Sequence, residues 1–129
     1  MKKIVEVKVE TQKDGFTCYL VNSNQFPINF VGDGETVKDA INDFEKAHQF
    51  AAEFAKDSLN IDLYNLQFHY NFDVPAFFNY FPINISKFAE FIGMRPALLK
   101  QYITNTKAPS QKIIDKINEG KKQLAWELI

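Results

Sequence analysis

The sequence predicts an α+β chain, with a β-β-β-α-β front followed by an all-helical back. Three observations predict it. Apolar and polar residues alternate near the N-terminus and again around residue 70, the period of strands with one buried face. Between those stretches, Val37, Ala40, Ile41, Phe44, Ala47, Ala51 and Ala55 recur at spacings of three and four, the period of one helix face. From Asn84 onward no alternation remains, and the pattern is helical to the end.

The elements follow in order. Val5, Val7 and Val9 alternate with Glu6, Lys8 and Glu10 in a first strand. Asp14-Gly15 is a hairpin signal, and Phe16, Cys18 and Leu20 alternate behind it in a second. A third short strand is expected around Ile28 to Val31, with Gly32-Asp33-Gly34 breaking the chain. Thr36 reads as an N-cap, with Asp39 at a capping-box-like spacing, and the small alanines of the helix behind it would let it lie close on a sheet. Asp57 to Asn60 reads as a break. Leu66, Phe68, Tyr70 and Phe72 then alternate with Gln67, His69 and Asn71 in a fourth strand. A helix between strands three and four implies a crossover, so the fourth strand is expected parallel to a neighbour. Asp73 reads as the cap of a short helix that Pro82 stops. This reading sets one domain over residues 1–73 and a second over 74–129.

Composition bounds what such a chain can be. Of its 129 residues 46% are hydrophobic and 24% charged, which is ordinary for a globular protein and excludes a disordered one. Thirteen Phe raise the aromatic content to 15%, enough for a core with rings to spare for a partner. One cysteine excludes an intrachain disulfide framework and a Cys-based zinc knuckle. No run reaches the roughly 18 apolar residues that span a membrane. Glu6, Lys8 and Glu10 interrupt any signal-peptide core, so the expected location is cytoplasmic. The net charge of −1 hides a division. Residues 1–83 carry 7 Lys and 12 acids, for −5, and residues 84–129 carry 8 Lys and Arg against 4 acids, for +4. An acidic front suits a basic protein, and a basic back suits nucleic acid.

The segment from Ile85 to Tyr102 has the internal spacing of a helix-turn-helix. Ala89 is small where two helices cross, Gly93 follows in the turn, and Pro96 suits the first turn of the second helix. Phe88, Ile92, Met94, Leu99 and Tyr102 supply the apolar contacts, and Asn105 could close the second helix in the left-handed conformation. At about 100° per residue, Leu98, Leu99, Tyr102 and Ile103 form one arc, and Ala97, Lys100, Gln101 and Thr104 the opposite one. That second arc suits a major groove: Gln101 can read adenine, and Lys100 can reach guanine or phosphate. Arg95 and Lys107 flank it as phosphate contacts. Pro109-Ser110 opens a last helix, whose Ile113, Ile114, Ile117, Leu124, Ala125 and Leu128 share an arc. Gly120 lies at its edge, which implies a close helix neighbour. Trp126 and Ile129 lie beyond the arc and are the candidates for a homodimer interface through the C-terminal half, Trp126 alternatively folding back on the Phe-rich stretch of its own chain.

Gly15-Phe16-Thr17-Cys18-Tyr19 and Gly32-Asp33-Gly34-Glu35-Thr36-Val37-Lys38-Asp39-Ala40 together resemble the N-terminal domain of HicB-family antitoxins. Phe72-Asp73-Val74 through Tyr80, the helix-turn-helix and Ala108-Pro109-Ser110 resemble the C-terminal half of HicB-like proteins. The resemblance implies a degenerate ribonuclease-H-like N-domain that sequesters a small HicA-type mRNA-cleaving toxin, and a C-terminal domain that binds operator DNA as a dimer and represses its own operon. The loop Asn22 to Asn29 lacks the Pro-Asp-x-Pro-Gly run common in that family, and Asn105 stands where glycine is usual. The alternative is a free-standing helix-turn-helix repressor without a toxin.

An enzyme is not expected, nor is a metal or other cofactor. A two-metal nuclease would need clustered carboxylates, for which Glu6 or Glu10, Asp43 and Asp73 can be nominated. Acids beside Lys8 on alternate strand positions read more simply as a solvated face. His48, on the apolar helix face, reads as a satisfied core histidine, and Cys18 as a small core residue. His69 stands alone, and Phe72, Phe77, Phe78 and Phe81 read as a packing seam.

Overall fold

Val5, Val7 and Val9 point to one side of β1 (Lys3–Gln12) and are at most 1% exposed. β2 (Gly15–Leu20) pairs with it antiparallel through the Lys13-Asp14 turn, setting Val7 opposite Leu20 and Val9 opposite Cys18. β4 (Leu66–Phe72) lies parallel to β1 on its other side, with Val5 opposite Phe68 and Val7 opposite Tyr70. With β3 (Val31–Gly34) the result is a mixed four-stranded sheet in the order β3-β2-β1-β4. Five α-helices complete this computed structural model, which describes residues 2–129. The chain divides into two compact units, one ending at Tyr80 and the other beginning at Phe81.

The first unit is built on α1 (Val37–Phe54). Thr36 caps it, its side chain accepting from the Asp39 N–H at 3.1 Å. The helix buries Val37, Ala40, Ile41 and Phe44 over the valine face of the sheet, each large side chain contributing about 1.5–3 kcal/mol on leaving water. The third strand begins at Val31, so it occupies the glycine segment expected to break the chain, and Ile28 to Phe30 lie in the preceding loop. The reason is the approach of α1. A Cβ on Gly32 would fall on the Phe44 and Ala40 backbone, and one on Gly34 on the backbone and Cβ of Asp39. Strand glycines here admit a neighbouring backbone rather than ending the strand. Phe30 instead fills the core, 5.3 Å from the Phe44 ring and 6.0 Å from Phe68 between centroids.

Beyond Phe54 the helix widens into a π-helical turn, Ala55–Leu59, which Asn60 ends in the left-handed conformation at φ 54°. Asp73 follows β4 and ties three elements together. Its carboxylate accepts from the Thr11 N–H and the Thr11 hydroxyl, both at 2.7 Å, and from the Ala76 N–H at 3.0 Å. It thereby opens α2 (Val74–Tyr80). Ala76 belongs to the first core, and Asn79 Oδ1 accepts from the Val37 N–H at 2.9 Å. The boundary therefore falls after Tyr80 rather than after Asp73, because α2 is part of the first unit.

The second unit holds α3 (Ile85–Phe91), α4 (Pro96–Ile103) and α5 (Gln111–Glu127). Asn84 and Ser110 cap α3 and α5. α3 ends in a Schellman motif: Gly93 takes φ +71°, its N–H donates to Glu90 O, and Met94 N–H donates to Ala89 O at 2.8 Å. α4 ends the same way around Asn105, at φ 63°, with Thr106 N–H on Gln101 O at 2.9 Å. Phe88, Ala89, Met94, Leu99, Tyr102 and Ile117 are buried. Gly120 is buried against α3, where an added Cβ would strike Ile92 Cγ2. The apolar arc of α5 is buried only in part: Leu128 is 78% exposed, and Ala125 is exposed with it.

Candidate functional site

α4 sorts its side chains sharply. Leu99 and Tyr102 are buried and Leu98 and Ile103 half-buried, whereas Ala97, Lys100, Gln101 and Thr104 are exposed. Arg95, the N-cap residue of α4, is exposed at one end of this face, and Lys107 is exposed beyond the other. The side chains of Arg95, Lys100, Gln101 and Lys107 make no hydrogen bond or ion pair with other described residues. Four long polar side chains are thus available to an external acceptor, on a unit whose net charge is +4. Thr104 is the exception, because its hydroxyl donates to Lys100 O at 2.9 Å and contacts the Thr106 hydroxyl. At the end of α5, Trp126 is 74%, Leu128 78% and Ile129 97% exposed.

The carboxylates of the first unit are dispersed among separate tasks. Glu6 accepts from His69 Nδ1 at 2.8 Å and from Asn71, and these two hydrogen bonds hold its carboxyl below the usual carboxylate range. Glu10 accepts from the Tyr19 hydroxyl at 2.6 Å, which raises the Tyr19 pKa. Asp43 accepts from the Asp33 N–H at 2.9 Å, and Asp73 performs the tying described above. Among the described residues no group of three or more His, Cys, Asp or Glu is placed to hold a metal ion.

His48 lies half-buried between the Phe30 and Phe68 rings, and its Nε2 hydrogen-bonds the Leu63 carbonyl at 2.7 Å. Cys18 is fully buried in β2; burial first, then the charges of Asp33, Glu45 and Asp43, push its thiol up to about 12. Burial and then Glu45 likewise raise Tyr70, whose hydroxyl is buried with no hydrogen-bond partner among the described residues.

One feature escapes the sequence reading. Ile28, Phe30 and Val31 on one side and Ala47, Phe50, Ala51 and Phe54 on the other line an open apolar groove of about 630 Å³. Phe50 is 75% and Phe54 51% exposed. The signal was two phenylalanines four residues apart, both outside the buried arc of α1. Among the described residues no helix is long and apolar enough to cross a membrane. None of the protein-family models, curated proteins or solved structures with which the chain was compared matches it.

Proposed function

We propose that this chain is an antitoxin of the HicB kind, which neutralises a small HicA-type mRNA-cleaving toxin with its first unit and represses its own operon with its second. The observation that carries the reading is the exposed polar face of α4, with Arg95, Lys100, Gln101 and Lys107 unengaged above a buried Leu99 and Tyr102. That geometry supports a helix-turn-helix in which α4 enters the major groove, Gln101 and Lys100 read base edges, and Arg95 and Lys107 hold phosphates. Ala97 lets the helix approach closely, and Thr104 lies exposed on the same face with its hydroxyl donating to Lys100 O. In the first unit, the strand order and the parallel β1–β4 pair support a degenerate ribonuclease-H-like fold. The separate engagement of Glu6, Glu10, Asp43 and Asp73 supports a non-catalytic role for it. Two half-sites require a two-fold pair of recognition helices, and the exposed Trp126 and Ile129 are the surface for that dimer.

Footprinting on the gene's own promoter tests the DNA half. Wild type should protect a palindrome; Lys100→Ala with Gln101→Ala should erase sequence preference, and Arg95→Ala should weaken all DNA alike. An unchanged footprint in the double variant removes α4 from the interface. Sedimentation of Trp126→Ala should show loss of the dimer. Co-expression with the product of a short adjacent reading frame tests the toxin half. Relief of that product's toxicity supports an antitoxin, and promoter binding without such relief leaves a free-standing repressor.

A further inference from the structure

We infer that the groove between the Ile28–Val31 segment and the outer side of α1 is a docking site for an apolar anchor side chain of a basic polypeptide. The inference rests on the antitoxin reading for the partner's identity, and on the groove itself for its chemistry. The lining is almost wholly apolar, Asn29 being the exception, so the groove lacks the converging polar groups that orient a small-molecule ligand. Phe50 and Phe54 stand four residues apart on α1, and their exposure to water goes unrelieved in the isolated chain.

Charge selects among the remaining occupants. At about 100° per residue, Asp43, Lys46 and Glu53 lie on the same side of α1 as Phe50, and Asp57 follows in the π-helical turn. All four are exposed, and acids outnumber the lysine three to one. The unit around them carries −5. Such a rim repels nucleic acid and an anionic membrane surface alike. A second copy seated groove to groove would oppose the same acids across a two-fold axis, which is the like-charge pairing that specific interfaces avoid. A partner with a Leu, Ile or aromatic anchor flanked by Lys or Arg satisfies both the apolar floor and the acidic rim.

The test uses the full chain and, as probe, the purified product of any short reading frame beside its gene that encodes a basic protein. Phe50 is mostly exposed, so Phe50→Ser should leave the circular dichroism spectrum unchanged while weakening binding by about tenfold or more, the scale of an aromatic anchor. Phe50→Leu should restore binding to within about threefold, because it keeps an apolar side chain at the same place. Glu53→Lys with Asp57→Lys should slow association and flatten its salt dependence. Wild-type binding with unchanged affinity in all three variants would overturn the groove and leave the antitoxin reading standing. A wild type that footprints its promoter but fails to bind the probe would overturn the antitoxin reading and, with it, this partner. A wild-type dimer that Phe50→Ser dissociates would overturn the inference in favour of a second copy.

Discussion

Gly32→Ala tests the central packing of the first unit. The new methyl would stand 2.5 Å from both Ala40 O and Phe44 Cα, backbone atoms that no rotamer change can move aside. Ordinary contact requires about 3.5 Å or more, so α1 must retreat by about 1 Å. A gap of that size forfeits about a quarter to a half of the dispersion energy across it. Val37, Ile41 and Phe44 face the sheet there, and each gains about 1.5–3 kcal/mol from burial. A full 1 Å puts the loss at the upper end of that range, about 2–4 kcal/mol in all. After the reduced entropy of the unfolded chain returns about 0.4–1 kcal/mol, a net loss of about 1–4 kcal/mol remains. At about 4–8 °C per kcal/mol for a unit of this size, the melting temperature should fall by about 4–30 °C. Thermal unfolding of the full chain, followed by far-ultraviolet circular dichroism, measures it. A variant melting within about 2 °C of wild type would refute the argument that helix-to-strand contact dictates glycine at this position.

Other consequences concern the helical unit, the Asp73 tie and the buried thiol. In Gly120→Ala the better helix propensity is worth about 1 kcal/mol, but the methyl meets the stiff, β-branched Ile92, and overpacking of about 1–3 kcal/mol should win. The urea midpoint should therefore fall, and a rise would mean that α3 and α5 have slack between them. Asp73→Ala removes three hydrogen bonds to a carboxylate and should destabilise the first unit by about 2–3 kcal/mol in urea titration; an unchanged midpoint would show that Thr11 and α2 find other partners. Cys18 is a neutral thiol in the folded chain with its pKa raised from 9.0 to about 12, so the unfolded state ionises first. Its stabilising contribution is present below pH 9.0 and is lost as pH rises toward about 12. Cys18→Ala should flatten that alkaline decline without abolishing it, since Tyr19 and Tyr70 are raised in the same direction. An identical slope in the variant would remove the thiol from the linkage.

What the sequence made legible was periodicity and punctuation. The valines of β1, the aromatic alternation of β4, the Thr36 cap and the Asn105 terminator each depend on neighbours within a few residues. Each therefore leaves a local trace. The third strand left the wrong trace, because Gly32 and Gly34 answer to α1, which follows them in the chain but lies against them in space. No local rule separates a glycine that ends a strand from one that admits a helix. The polar face of α4 could be drawn from angles alone, whereas the hydrogen bond from the Thr104 hydroxyl to Lys100 O is a rotamer choice that angles do not fix. The exposed Phe50–Phe54 groove needed the Ile28–Val31 segment to be placed before it existed at all. At the end of α5 the apolar arc was legible, but its exposure at Leu128 was not, because burial depends on what stands opposite.

β3 is an edge of the sheet, and its outward Asp33 N–H is held by the Asp43 carboxylate. An unoccupied edge donor is a template on which another chain can extend a sheet, and long open edges drive polymerisation at high concentration. Here a side chain from α1 occupies the donor, and its negative charge repels an incoming backbone carbonyl. The strand is also four residues long, too short to offer a long ladder. The β3 edge is thereby closed to strand addition at this donor, which leaves β4, at the opposite side of the sheet, as the sheet's longer edge. Asp43→Ala should lower the concentration at which light scattering begins, without changing the melting temperature by more than a few degrees, about the effect of one exposed hydrogen bond.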